Sequence, residues 1–345
     1  MVDPRTAAPD FWKRYHEYRR VRHSETHPDD PVKPDDLERA QMLHDNPFEI
    51  VYRYEIASGG AMVSWFRADT MRPSAPGYES NKHVFGADWS VHPAHRRQGI
   101  ARSWLPLVVE LMDRHGCTVL NIGADEESGH AFIKWLGAEA KSIGAENRLA
   151  LGEVDWDVVR QWIDDGRKRS PQARLELHDG RIPDPLLNDF TTQLTSLLNT
   201  MPFDQLDHGK IVVTPAKMRE WYEQMSIEDS RHHVALIREP DGVISGMTDV
   251  VWAPYRPKLL SQQFTGVRPD TRGRGLGKWL KAAMLLHARE LYPGLEQVVT
   301  GNAASNAPML AINAKLGFKQ FRAGTEYQIT RDHLAARVRE LTRLS

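Results

Sequence analysis

Apolar residues recur at the 3.6-residue period over 275–291, where Leu276, Leu280, Ala283/Met284 and Leu291 mark one face of a helix. The same period returns over 99–114 through Ile100, Trp104, Leu107/Val108 and Leu111. Ahead of 275–291 the pattern predicts a strand near 173–178, helices near 185–199 and 214–226, and strands near 232–238, 243–252 and 260–267. Beyond it come a strand near 296–300, a helix at 306–316 and a strand pair over 318–330. The N-terminal half follows the same scheme from a helix near 10–24, without the opening strand. Such alternation implies an α/β fold with a mixed (α+β) sheet and helices on both of its faces.

The chain repeats itself. Residues 91–101 read VHPAHRRQGIA and residues 267–277 read VRPDTRGRGLG, 176 positions apart (267 minus 91). Further on, KWLGAEAKSIGAENRLAL (134–151) parallels KLGFKQFRAGTEYQIT (315–330), pairing Gly137 with Gly317 and Glu146 with Glu326. Two tandem domains follow, 1–168 and 169–345, with the seam near 165–172, where DDGRKRSPQ is polar and carries a proline.

A length of 345 residues suits two domains, and 41% apolar with 26% charged residues is the balance of a soluble globular protein. The formal net charge of −1 supplies no field toward nucleic acid or an anionic membrane. Residues 12–22 are basic, but Trp12, Tyr15, Tyr18 and Val21 recur at helical spacing, which predicts a surface helix with a charged outer face. One cysteine, Cys117, excludes an internal disulfide and reads as a strand residue, not a nucleophile. The N-terminus has no apolar signal core, and no run approaches the ~18 apolar residues of a membrane span. The expectation is a cytoplasmic protein, monomer or homodimer, with neither nucleic acid nor membrane as partner.

Candidate chemistry sits where each copy runs from a strand into an Arg- and Gly-rich turn that opens a long helix. First-turn N–H groups lack intrahelical partners and the helix dipole adds partial positive charge, so such a turn holds phosphate. Gly-Lys-Ser/Thr, which would hold a nucleotide's metal, is absent from both copies. The arrangement suits a diphosphate that needs no metal.

Arg272-Gly273-Arg274-Gly275-Leu276-Gly277 and Arg96-Arg97-Gln98-Gly99-Ile100-Ala101 resemble the pyrophosphate signature of the GNAT superfamily of N-acetyltransferases. Asn306 and Met309, followed by Lys315-Leu316-Gly317-Phe318, are similar to that family's Asn-bearing helix ending in Gly-Phe. The resemblance covers nearly the whole chain as two tandem GNAT-like acyl-CoA N-acyltransferase domains, the first degenerate and the second catalytic. It implies acetyl-CoA as co-substrate and no metal. The pantetheine arm would lie along the strand ending at Thr265-Gly266-Val267, with the Val267 N–H aimed at the thioester carbonyl. Backbone amides of Gly273, Arg274, Gly275, Leu276, Gly277 and Lys278, behind Arg272, would hold the diphosphate, and Asn306 the pantetheine. Val91, Arg97, Gln98, Gly99, Ile100 and Ala101 are the first-copy counterparts.

The chain also departs from the family pattern. Where the family often has a Tyr to protonate the departing thiolate, four residues before the Gly of Gly-Phe, stand Asn313 and, in the first copy, Ile133. Its usual strand acid or His, four or six positions before the valine, is replaced by Gln263 and Ser261, and by Ala87 and Phe85. The catalytic candidates are therefore Val267, Gln263 (to order a water that carries the proton) and Asn313. Tyr327, Glu326 and Tyr255 are stand-ins that read more simply as structural. Glu126 occupies the place of Asn306 in the first copy and offers no donor. Asp204 and Asp207 lie in the loop where the family builds its acceptor pocket, and His232 and His233, adjacent on a strand, point to opposite faces. The expected reaction is acetyl transfer to the primary amine of a small molecule, by direct attack in a ternary complex. The alternatives are a protein lysine or N-terminal amine as acceptor, and a non-catalytic acyl-CoA sensor.

Overall fold

A computed structural model describes residues 1–343; residues 344 and 345, the end of the 169–345 domain, lie outside the described residues. In chain order the strands are β1 (Glu49–Ser58), β2 (Ala61–Met71), β3 (Val84–Val91), β4 (Val119–Ala124), β5 (Glu139–Ala150), β6 (Arg174–Asp179), β7 (Arg231–Arg238), β8 (Ile244–Trp252), β9 (Leu259–Val267), β10 (Gln297–Ala303) and β11 (Lys319–Thr330). The chain divides into two compact units. Unit 1 holds residues 1–142, 205–210 and everything described from 324 on; unit 2 holds 143–204 and 211–323.

In unit 1 the strand order is β1-β2-β3-β4-β11, antiparallel except for the β3/β4 pair. In unit 2 it is β5-β10-β9-β8-β7-β6, antiparallel except for β9/β10. Each unit thus completes its sheet with a strand encoded in the other repeat. The C-terminal half of β11 pairs with β4, and that of β5 with β10, Gly301 opposite Glu146. The strand pair expected over 318–330 is this one long strand, followed by a helix, Arg331–Arg343, that the pattern did not announce.

The helix expected over 99–114 is two pieces, Ile100–Ser103 and Leu105–His115. Pro106 carries no N–H for the Arg102 carbonyl, so the ladder breaks there. Its repeat partner, Leu276–Leu291, runs unbroken and is buried nearly all round, although Leu291, expected on its apolar face, is exposed. Residues 156–169 form a helix packed on it, where Gly166 lies so close to Trp279 that an added Cβ would stand 2.5 Å from the indole. Only glycine permits that approach. In the basic helix Pro9–Thr26, Phe11, Trp12, Tyr15 and Tyr18 are buried, Val21 is not, and several arginines are spent on ion pairs: Arg14 with Glu55, Arg19 and Arg20 with Asp35. Cys117 is buried just ahead of β4, and burial pushes its thiol up, away from the reactive thiolate. Among the described residues no helix is long and apolar enough to cross a membrane.

Ile329 and Leu334 belong to the core of unit 1, together with Phe66, Phe85, Trp104 and Leu120. Arg331 adds a two-pronged ion pair to Asp113, at 2.6 and 2.7 Å. Losing each buried aliphatic costs about 2–5 kcal/mol, and β4 would lose its partner strand. A chain ending before Gly324 is therefore expected to lose the near-ultraviolet circular dichroism of Trp89 and Trp104 and to melt well below the full protein. Unchanged spectra and melting would refute this account of unit 1.

Candidate active site

The site in unit 2 begins where two parallel strands part. β9 and β10 are in register from Leu259↔Gln297 to Gln262↔Thr300 and no further, so Gln263–Val267 run without β10 beside them. The Arg268 N–H donates to Ser245 O on the β8 side, so strand alternation turns the Val267 N–H the other way, into the opening. Unit 1 repeats this: β3 and β4 pair only from Val84↔Val119 to Gly86↔Asn121, and the His92 N–H donates to Val63 O, which leaves the Val91 N–H facing outward.

Both strands lead through a 3₁₀ turn (Pro93–His95, Pro269–Thr271) into loops of one backbone shape. Arg96 and Arg272 are extended, with φ/ψ of −68°/162° and −61°/161°. Gly99 and Gly275, before the helices, are left-handed at φ 80°. Between them Gly273 has φ 82°, and its counterpart Arg97 has φ 63°, a region that side-chain-bearing residues enter at a cost of roughly 1–2 kcal/mol. Space for a Cβ at Gly273 is open, so the loop leaves an unfilled cradle beside its left-handed turn.

Side chains set the copies apart. Arg272 reaches the Val267 carbonyl at 3.4 Å and makes no ion pair among the described residues. Arg96 makes the equivalent contact to Val91 but is tied to Glu25 at 2.6 Å and Glu126 at 3.3 Å, and Arg22 holds Glu126 at 2.5 Å. The position of Asn306 is thus closed in unit 1 by an ion-pair cluster. Arg169, from the helix in the polar seam, was not foreseen as a site residue; its Nη1 lies 3.3 Å from where a Cβ of Gly275 would be. Arg274 is held by Glu239 at 2.7 Å and Ser170 at 3.1 Å.

Asn306 caps the helix Ala307–Leu316, its Oδ1 accepting from Met309 N at 3.4 Å, while its amide N–H groups have no partner among the described residues. Asn313 is buried; its Nδ2 donates to Asn302 Oδ1 at 2.7 Å, and its own Oδ1 accepts nothing. Gln263 is exposed at the first position past the parting, whereas Ser261 is buried. Tyr327 and Glu326 prove to belong to unit 1, where Tyr327 OH lies 2.9 Å from His130 Nδ1 and Glu326 accepts from Asn121 Nδ2 at 3.1 Å. The carboxylate in the corresponding place of unit 2 is Glu146, which takes Arg148 Nε at 2.6 Å. Asp204 and Asp207 also fall in different units, one bound by Ser305, the other 2.9 Å from His83 Nε2.

Beneath the parting lies a residue that periodicity hid, Lys281. It is 3% exposed and borders a small cavity with Leu260, Gln262, Val298 and Phe318. Its Nζ donates to Gln262 Oε1 at 2.7 Å, and Gln262 Nε2 donates to Thr248 and Thr265 Oγ1, both at 2.9 Å. These bonds pin the bulge where β9 slips against β8, between Thr248 and Val250. Asp249 Oδ1 accepts the Phe264 N–H inside that bulge at 2.9 Å and is braced by His232 at 3.0 Å.

With this geometry in view, the profile of the acetyltransferase (GNAT) family matches residues 12–138 and 195–318. The chain belongs to that family. It is an acetyltransferase of the tandem type, and the family uses acetyl-CoA as co-substrate. A mycothiol acetyltransferase of Salinispora arenicola is 25% identical over 79% of each chain. One from Saccharomonospora viridis is 45% identical over 62 residues, 18% of this chain and a fifth (20%) of its own length. Among solved structures, a tandem GNAT protein from the clavulanic acid biosynthesis pathway has a TM-score of 0.70 at 21% identity, covering 93% of this chain and 94% of its own. A GCN5-related N-acetyltransferase from Sphaerobacter thermophilus has a TM-score of 0.60 at 14% identity, covering 96% and 94%.

Two measurements probe the GNAT site. Arg169→Ala should raise the KM for acetyl-CoA roughly tenfold, the worth of one charged contact to phosphate, with kcat retained; an unchanged KM would remove Arg169 from the site. Burial pulls the Lys281 ammonium down to about 7 from 10.5. Below pH 7 folded and unfolded chains both carry the charge, so the burial cost stands in full. Between about 7 and 10.5 the folded chain has lost the proton and the unfolded chain has not, so stability rises with pH there. Lys281→Met should therefore raise Tm most near pH 6, by an amount reflecting a few kcal/mol, and progressively less toward pH 10. A pH-independent difference in Tm would count against a strained lysine.

Proposed function

We propose that unit 2 transfers the acetyl group of acetyl-CoA to a primary amine of a small molecule, by direct attack within a ternary complex, and that unit 1 serves as scaffold. The observation that carries this reading is the parted β9/β10 pair leading into a glycine loop whose Arg272 has no carboxylate partner among the described residues, against the closed cluster around Arg96. The residues fit the co-substrate: an open cradle at Gly273, unspent N–H groups on Asn306 and an unsatisfied buried acceptor on Asn313. When bound, acetyl-CoA supplies the acetyl thioester, whose C–S bond breaks as the amine's C–N bond forms, coenzyme A leaving as the thiol with the proton that the amine gives up. Arg272, Arg169 and the amides of Gly273 through Lys278 hold the diphosphate, and Asn306 donates to the pantetheine arm. Asn313 Oδ1 accepts from an incoming N–H, and the Val267 N–H faces the charge that develops on the carbonyl oxygen. Gln263, exposed at the parting, orders the water through which the ammonium loses its proton. A small-molecule acceptor accords with the relatives named for mycothiol.

A non-catalytic acyl-CoA sensor is favoured by one observation: neither Gln263 nor Asn313 is an acid or a base. Thiol release from acetyl-CoA against a panel of small amines and peptides separates the readings, since a sensor releases none with any acceptor. Gly275 sits at φ 80°, so Gly275→Val strains the cradle and fills it with a branched side chain. That variant is expected to lose turnover at least a hundredfold while Gly99→Val keeps most of kcat, both judged folded by circular dichroism. The reverse result would move the reaction to unit 1.

A further inference from the structure

Away from the parted strands, three elements of unit 2 bring nitrogen and oxygen ligands to one point. Asp179 ends the edge strand β6, His233 lies near the start of β7, and His287 lies in the last turns of the helix Leu276–Leu291. His233 Nδ1 and His287 Nε2 stand 2.6 and 2.7 Å from the same oxygen, Asp179 Oδ1. All three ligand atoms lie within 4.8 Å of one another. The next layer is built as well: His233 Nε2 meets Tyr292 OH at 2.7 Å, and that ring stacks on Trp252 at 4.4 Å. A partner on the far nitrogen orients an imidazole and fixes its tautomer, as is usual around ligating histidines.

We propose that Asp179, His233 and His287 form a Zn²⁺ site with a fourth, water-filled position. Two imidazoles and one carboxylate suit a borderline ion such as Zn²⁺ and not Mg²⁺ or Ca²⁺, which take oxygen ligands. The carboxylate has only to draw back slightly for an ion to sit about 2.0–2.1 Å from each ligand. His287 is twelve residues past Gly275, about 18 Å along the helix at 1.5 Å per residue, so the ion takes no part in acetyl transfer. Its work is mechanical: it fastens β6, an edge strand for which the first repeat has no counterpart, to β7 and to the helix that starts at the GNAT loop. Edge strands held on one side only are the first to fray.

The test uses the full chain, stripped by chelator and titrated with Zn²⁺ alone, by calorimetry and by competition with a chromophoric chelator. One equivalent should bind and raise Tm, and Co²⁺ should give the visible absorption of a tetrahedral site. Asp179→Asn and His287→Ala should each weaken Zn²⁺ binding at least a hundredfold and abolish the Tm shift. Asp179 is the exposed member of the cluster and His287 is only partly buried, so variants at both are expected to fold, as circular dichroism will show. No stoichiometric binding at tens of micromolar Zn²⁺, undiminished binding in both ligand-removing variants, or binding of Cu²⁺ or Ni²⁺ without Zn²⁺ would overturn the proposal. None of these readouts depends on acetyl transfer.

Discussion

Hydrogen bonds that are not made organise this protein. β9 and β10 stop pairing after Gln262 and Thr300, and the backbone groups beyond must find another partner or face water. A bulge lies beside the parting: Gln262 spans two threonines, Asp249 takes the Phe264 N–H, and Lys281 and His232 brace these two from opposite faces of the sheet. A buried ammonium is an expensive brace. Its position under the parting, and not elsewhere on the same apolar helix, indicates that the opening is maintained at a cost in stability.

The two repeats agree more closely in backbone than in side chains. Arg97 keeps the left-handed turn that Gly273 adopts without strain, and Val91 faces outward as Val267 does. What differs is what fills the space: ion pairs of Arg22, Glu25, Arg96 and Glu126 in unit 1, an open cradle in unit 2. A loop's backbone shape can persist while its side chains diverge, because the helix behind it still requires that entry.

Much of this was legible in the sequence. The repeat, the two glycine turns and most elements of the second copy follow from periodicity and turn chemistry, which are local. Whatever depends on partners distant in sequence was not legible. Glu326 and Tyr327 align with the second repeat yet fold into unit 1, since no local rule says which sheet a strand will join. Lys281 sits one position past Leu280 on the predicted apolar face and reads as a solvated neighbour, until the helix proves buried on almost every side. Pro106, by contrast, is visible in the sequence and splits a helix that apolar spacing alone predicts as continuous. Asp179, His233 and His287 meet from three separate elements, so no spacing announces them.

The exchange of final strands also imposes an order on birth. Synthesis runs from the N-terminus, and β4 leaves the ribosome 195 residues before its partner β11 begins (319 minus 124). During that interval the nascent unit 1 presents β4 as a bare sheet edge, with Ile122 and Leu120 not yet covered by β11 and the helix after it. Its repeat partner is spared this, because β5 is already made when β10 emerges. The half that appears first is therefore the half that must wait longest for its last strand.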